Sequence, residues 1–184
     1  MKILETQRLI LRTFHDHDLD AMARINQDPK VMKYFPSIGN RKQTYDHIKR
    51  IRTHQARYGY SLYAVELKST SEMIGFVGLI HRAKKEFGAC FTPATEIGWR
   101  LSSRHWGKGY ATEAALAVLD YAFNYLNLDE VVSFTVVNNQ ASQRVMEKIG
   151  LYRDFQGDFD HPKIAKDNPL CRHVLYRLSK QERR

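Results

Sequence analysis

The chain reads as an α/β protein of the α+β kind, with a single mixed, mostly antiparallel sheet flanked by helices. Three observations carry that reading. The element order runs strand, helices, hairpin, strand–turn–helix, strand–helix and terminal strands, which is more antiparallel than a doubly wound fold. Two β-rich runs, Tyr60 to Leu67 and Met73 to His81, are joined by the short polar turn Lys68-Ser69-Thr70-Ser71-Glu72, the pattern of a hairpin. A third run, Thr95 to Leu101, passes through a glycine-spaced turn straight into an apolar-periodic segment from Ala111 to Leu126, a strand–loop–helix unit.

The elements follow in order. Arg8-Leu9-Ile10-Leu11-Arg12 alternates as a first strand, and Asp16 to Asn26 reads as a helix with acids in its first turn. Asp28-Pro29 supplies an N-cap and a proline at the first helical position, so a short helix to about Tyr34 is expected. Asn40 with Gln43 forms a capping-box pattern that opens the next helix, and Gly59 suits its C-terminal stop. Over 41–57 one face is basic and exposed, with Tyr45, Ile48 and Ile51 expected inward. Gly75 and Gly78 inside the second hairpin strand point to a bulge or to close approach of another backbone. Segment 84–93 is looser. Glu130 to Val137 is a further strand, Gln140 to Ile149 a further helix stopped by Gly150, and Val174 to Leu178 a closing strand. Asp158 to Leu170, with Pro162 and Pro169, is expected to be a loop.

At 184 residues the chain is expected to form one domain over 1–184, long enough to bury a sizeable core. No run approaches the roughly 18 consecutive apolar residues of a membrane helix, and the first residues lack a signal-peptide pattern, so a cytoplasmic protein with no membrane partner is expected. Cys90 and Cys171 form no CxxC, and no compact metal-ligand cluster stands in the sequence, so no metal is expected. The 29 Lys+Arg against 20 Asp+Glu give a formal charge of +9, suited to a polyanion such as nucleic acid, a ribosome or a coenzyme's phosphates. Yet the basic residues are dispersed, from Arg41 through to the terminal run Lys180 to Arg184, and no nucleic-acid motif accompanies them.

Arg104-His105-Trp106-Gly107-Lys108-Gly109-Tyr110-Ala111 carries the most chemistry. A glycine turn at a helix start points several N–H groups at one spot and adds the helix dipole, which favours an anion such as a pyrophosphate. A Walker loop is excluded because no earlier glycine stands in register, and a dinucleotide fingerprint fails at Thr112 and at Val136-Val137-Asn138. A second block follows after a helix and a strand: Asn139-Gln140-Ala141-Ser142, then Glu147-Lys148-Ile149-Gly150-Leu151.

Together R-x-x-G-x-G-x-A and N-x-x-S-x-x-x-x-E-K-x-G resemble the GNAT acyltransferases, and the opening Leu4-Glu5-Thr6-Gln7-Arg8-Leu9-Ile10-Leu11-Arg12 is similar to that of their RimJ/RimL-like branch. The resemblance spans residues 4 to about 178. It implies a GNAT-like fold and an acetyl-CoA-dependent N-acetyltransferase acting on a primary amine, above all a protein N-terminal α-amine, in a ternary complex. It implies that main-chain groups of Trp99, Arg100 and Leu101 pair with the pantetheine arm. Within the loop from Arg104 to Ala111, the N–H groups of Trp106, Gly107, Lys108, Gly109 and Tyr110 would hold the pyrophosphate. Asn139 would bond a pantetheine amide or steady the neighbouring loop, and Ser142 would lie near the thioester sulfur. Met146 stands where many members of the family place an acid tyrosine, which leaves Ser142 as the candidate partner of the leaving thiolate.

Acyl transfer needs an amine with a free lone pair, and α-amines near pKa about 8 or lysines near about 10.4 must first lose a proton. Glu96 alternates onto one strand face with Gly98 and Arg100, and is the candidate general base; a salt bridge or ammonium binding is the other reading. N–H groups near Leu101 could polarise the carbonyl. His161, Asp158 and Asp160 could line an acceptor site, as could Tyr34 and Phe35. His173 and Tyr176 are expected to be buried, and Glu113 to compensate the dipole of the loop helix. A small-molecule amine such as an antibiotic, polyamine or amino acid is the alternative acceptor. A non-catalytic acyl-CoA-binding or basic nucleic-acid-binding domain is the reading from another class. A monomer and a homodimer are both open.

Overall fold

The structure is a computed structural model and describes residues 1–183; Arg184, last of the basic terminal run, lies outside them. The chain gathers into two compact units. The first holds Met1–Ile80 and Gly98–Val118, and the second holds His81–Ile97 and Leu119 onward.

In the first unit, β1 (Lys2–Glu5), β2 (Leu9–Arg12), β3 (Leu62–Leu67) and β4 (Met73–Arg82, whose last residues enter the second unit) pair antiparallel in sequence order. Strand β1 was not expected: its short run lies between charged ends and shows no alternation to read. Helices α1 (Asp18–Gln27), α2 (Pro29–Met32) and α3 (Arg41–Tyr58) pack an apolar cluster that includes Phe14, Met22, Ile25, Val31, Ile48, Ile51 and Phe76. The caps follow the sequence. The Asp28 side chain accepts from Lys30 N, Asn40 and Gln43 close a capping box, and Gly59 ends α3 in the left-handed region.

The inward face of α3 differs by one position from the expectation. Tyr45 is exposed, and Thr44 is buried with Ile48 and Ile51. Thr44 can enter the core because its hydroxyl donates to Asn40 O and accepts from Asn26 Nδ2 at 2.9 Å, which satisfies its polar atom there. Gly75 is a close-approach glycine: a Cβ there would lie 2.1 Å from Arg100 O.

The second unit is built on β5 (Ala94–Leu101), which ends in the first unit, β6 (Glu130–Val136), β7 (Tyr152–Asp160) and β8 (Arg172–Ser179). Glu96 pairs with Val132 in a parallel ladder, while β6–β8 and β7–β8 are antiparallel. The sheet order is β1-β2-β3-β4-β5-β6-β8-β7, the single, mostly antiparallel sheet the sequence predicts. Strand β7 corrects the expected loop, since Asp158 and Asp160 lie on it rather than beyond it. Its polar run TyrArgAspPheGlnGlyAspPheAsp hides the period-2 pattern. Ion pairs hold it instead: Arg153 to Asp158, and Arg177 Nε to Asp154 Oδ2 at 2.6 Å.

A four-residue helix α4 (Lys84–Phe87) interrupts the looser segment. Helix α5 (Tyr110–Asp120) ends earlier than expected, and a π-helical turn over Tyr121–Tyr125 completes the run. Helix α6 (Gln140–Lys148) is stopped by Gly150 at φ +91°.

Candidate active site

In the first unit, the end of β5 is pinned by Ser102 N donating to Ile74 O at 2.8 Å. A 3-10 turn over Ser103–His105 follows, then the two glycines. Gly107 and Gly109 have φ of +74° and +81°, values that cost an L side chain about 1–2 kcal/mol. Helix α5 opens at Tyr110, and Glu113 N donates to Gly109 O at 3.0 Å as the first turn of the ladder. The amides just before Glu113 have no carbonyl four residues back inside the helix, so they form an anion-facing N-terminus. Arg104 and Lys108 are exposed cations beside it.

Two of the expected coenzyme contacts are engaged within the protein. Trp106 N donates to Ser103 O at 3.3 Å, and its indole Nε1 donates to Leu101 O at 2.8 Å. Trp106 therefore braces the turn that leads into α5. The brace has a second part that sequence reasoning missed. Glu113 accepts from Thr6 Oγ1 at 2.6 Å and from Arg8 N at 2.9 Å through one oxygen, and from Arg8 Nε at 2.6 Å through the other. Arg8 Nη1 also donates to Lys108 O at 3.0 Å, and the guanidinium lies 4.5 Å from the Tyr110 ring centre. Burial pushes the Glu113 carboxyl up, but the Thr6 and Arg8 hydrogen bonds outweigh it and leave the group below its usual range. Glu113 is thus a loop clamp, beyond the dipole role expected of it. The opening T-x-R was the only signal in the sequence.

On β5, Trp99 is half-buried. The Arg100 side chain turns to Asn26, with Nη1 donating to Oδ1 at 2.7 Å, and to the rings of Phe35 and Phe76. Phe35, expected as an acceptor-site wall, thus stands over a cation.

In the second unit, Asn139 caps α6: its Oδ1 accepts from Ser142 N at 3.3 Å, and its Nδ2 donates to Thr135 Oγ1 at 2.9 Å. Asn139 is thereby fixed by the protein itself, and Ser142 stands half-buried in the first turn of the helix. Met146 is buried in the core. A phenol does occur against α6: Tyr176, on β8, donates to Glu147 Oε1 at 3.2 Å or to Gln143 Oε1 at 3.3 Å.

Glu96 is buried and accepts a short hydrogen bond from Arg82 Nε. Burial raises the Glu96 pKa, and the Arg82 charge and hydrogen bond only partly oppose that. The salt-bridge reading of Glu96 is thus met by Arg82, and the carboxylate keeps an elevated proton affinity. The Arg82 guanidinium lies 5.0 Å from the Phe87 ring centre and 5.7 Å from that of Phe134. Phe159, His161 and His173 join those rings, and the two imidazoles are 5.0 Å apart. His173 Nδ1 pairs with Cys171 O at 3.0 Å, so this nitrogen carries the proton. His161 departs from the expectation of an ordinary imidazole: burial, then His173, Arg82 and Lys163, lower its pKa to about 4. Asp158 and Asp160 are tied to Arg153 and Arg172.

A strand that hands over to a two-glycine turn and the N-terminus of a helix has the geometry that suits a phosphorylated ligand. The family model described as the acetyltransferase (GNAT) domain matches residues 8–152, and the chain belongs to that family, which transfers acetyl groups from acetyl-CoA to amines. The chain is 35% identical over 150 residues to the uncharacterized protein YkkB of Bacillus subtilis (strain 168), covering 81% of this chain and 84% of that protein. It is similar to a GNAT-family acetyltransferase structure from Bacillus anthracis, with a TM-score of 0.79 and 27% identity over 98% of this chain and 99% of that one. The fold is also that of RimL, a ribosomal L7/L12 α-N-protein acetyltransferase solved with coenzyme A. That likeness has a TM-score of 0.77 at 17% identity over 97% of this chain and 98% of that one. No described helix is long and apolar enough to cross a membrane.

Proposed function

We propose that this protein is an N-acetyltransferase of the RimJ/RimL-like kind, acting on α-amines and above all on a protein N-terminus. The observation that carries the reading is the pair of left-handed glycines at the start of α5, clamped by Thr6 and Arg8 through Glu113. The likeness in fold to an α-N-protein acetyltransferase supports the choice of acceptor.

The coenzyme, when bound, supplies an acetyl thioester and a leaving thiolate. In the first unit, the amides of Gly107 to Ala111 hold its diphosphate, aided by the helix dipole. In the second unit, Glu96 accepts a proton from the acceptor ammonium, directly or through water. Its raised pKa brings the carboxylate closer to the amine it must deprotonate. Nitrogen attacks the carbonyl carbon, the C–N bond forms, and the C–S bond breaks with its electron pair going to sulfur. Ser142 donates a hydrogen bond to that sulfur. Met146 has no proton to give, so protonation of the thiolate falls to solvent or to a proton the amine has lost.

An acceptor screen with acetyl-CoA, reading thiol release, tests the reading. Peptide N-termini are expected to outpace lysine peptides, polyamines and aminoglycosides, and a preference for polyamines or aminoglycosides would overturn the choice of acceptor. Replacing Gly109 by Val forces a β-branched residue into φ +81°, and calorimetry should show coenzyme A binding weakened on the order of tenfold or more. Unchanged affinity would remove the loop assignment.

A further inference from the structure

Arg100 is a withdrawn cation without an acid. Its Nη1 donates to Asn26 Oδ1, and the rings of Phe35 and Phe76 lie 4.1 Å and 5.4 Å from its Cζ. Its Nε is buried and has no hydrogen-bond partner. Burial pulls its pKa down to about 10, and no carboxylate pushes it back. Arg12 shows the ordinary arrangement in the same unit: Asp18 and Glu66 both accept from it, at 2.7 Å. A half-buried, largely desolvated cation left without a counter-charge is unfavourable, and an orphaned buried donor in a folded protein calls for an explanation.

The orientation of the group narrows that explanation. Asn26 Nδ2 is committed to Thr44 Oγ1 at 2.9 Å, so Oδ1 is the atom that faces Arg100 and holds Nη1. The other edge of the guanidinium, Nε with Nη2, is a fork of two parallel N–H donors. That fork matches the two oxygens of one carboxylate. Phe35 remains partly exposed, so the cluster reaches the surface. Basic groups elsewhere in the unit are not comparable. Arg8 and Lys68, which line a cavity of about 390 Å³, are already neutralised by Glu113 and Glu5.

We propose that the Nε–Nη2 edge of Arg100, between Asn26 and the Phe35 and Phe76 rings, receives a carboxylate carried by the amine acceptor. The proposal rests on the reading of this chain as an acetyltransferase of α-amines. The carboxylate can come from a free amino acid or from an acidic side chain beside a peptide N-terminus, and the test separates them.

With the full chain and saturating acetyl-CoA, KM is measured for L-amino acids against the matching amino-acid amides, and for peptides that differ only by Glu or Gln at the second residue. In one arm the acid member should have a KM lower by on the order of tenfold to a hundredfold, and that arm names the source. Arg100→Gln should bring the ratio to about one, whereas a purely structural arginine would depress both members alike and leave the ratio unmoved. Should Arg100→Gln not fold, Asn26→Asp places a carboxylate against Nη1 and should shrink the same ratio with Arg100 intact. Equal KM values in both wild-type arms, with transfer proceeding, overturn this inference and leave the acetyltransferase reading standing. If no acceptor is acetylated, calorimetry with N-acetyl amino acids and their amides decides the inference separately. Acid-selective binding that Arg100→Gln abolishes sustains it, and equal binding of acid and amide ends it.

Discussion

Glu96 and Arg100 stand on the same strand, and the protein manages their charges in opposite ways. Glu96 is buried with a cation donating to it, and its pKa is still raised because burial outweighs the pairing. Arg100 is withdrawn with a neutral amide and two aromatic rings for company, and its pKa falls to about 10. The difference separates two uses of a desolvated charge. A carboxylate partly compensated by Arg82 has an adjustable proton affinity, which suits proton transfer. A guanidinium has no usable proton to exchange, so leaving it uncompensated equips it for recognition alone.

Four experiments bear on that contrast. Glu96→Gln keeps an oxygen for Arg82 to donate to, so the fold should persist while kcat falls by about 10²–10⁴-fold. A wild-type rate in steady-state assays would reduce Glu96 to a structural partner and erase its half of the comparison. Arg82→Met removes the cation and leaves the carboxylate buried alone. Denaturant unfolding at neutral pH should show a loss of about 3 kcal/mol. A group whose folded pKa is raised gives its stability below the unfolded value and loses it as pH rises, so this deficit should shrink toward pH 4.5, the ordinary value for the group.

The imidazoles run the other way. His161 is lowered from 6.5 to about 4 by burial, with smaller contributions from His173, Arg82 and Lys163, and His173 is lowered by burial. The unfolded chain then binds more protons between those values, so stability is full above pH 6.5 and declines as pH falls toward 4. Melting temperatures across that interval should fall, and His161→Phe should flatten the slope; an unchanged slope would place the protons elsewhere. The smallest effect belongs to Arg100→Met. It removes one hydrogen bond to Asn26 but also a desolvated charge, and the net change should stay within about 1 kcal/mol. A loss comparable to that of Arg82→Met would mean the guanidinium holds the fold together and would collapse the contrast.

Much of this was legible in the sequence where the signal is local. Asn40 with Gln43, Asp28-Pro29 and Gly59 specify backbone geometry within a few residues, and the structure has each of them in that role. The glycines of the α5 turn were readable for the same reason, since φ of +74° and +81° is a demand on the residue itself. What escaped was long-range. Nothing near Glu96 announces Arg82, nothing near Glu113 announces Thr6, and nothing near Arg100 announces Asn26. Strand β7 escaped because most of its side chains are polar and held by arginines from β8 and from within itself, with Phe159 near its end the side chain that enters an apolar cluster. Tyr45 was misplaced because a threonine satisfied by Asn26 can take the inward position an aromatic seemed to claim.

The Thr6–Arg8–Glu113 clamp makes residues near the start of the chain part of the support of the two-glycine turn, although some hundred positions separate them along the chain. Removing the residues up to Arg8 would cost the sheet its strand β1 and the α5 turn its brace together.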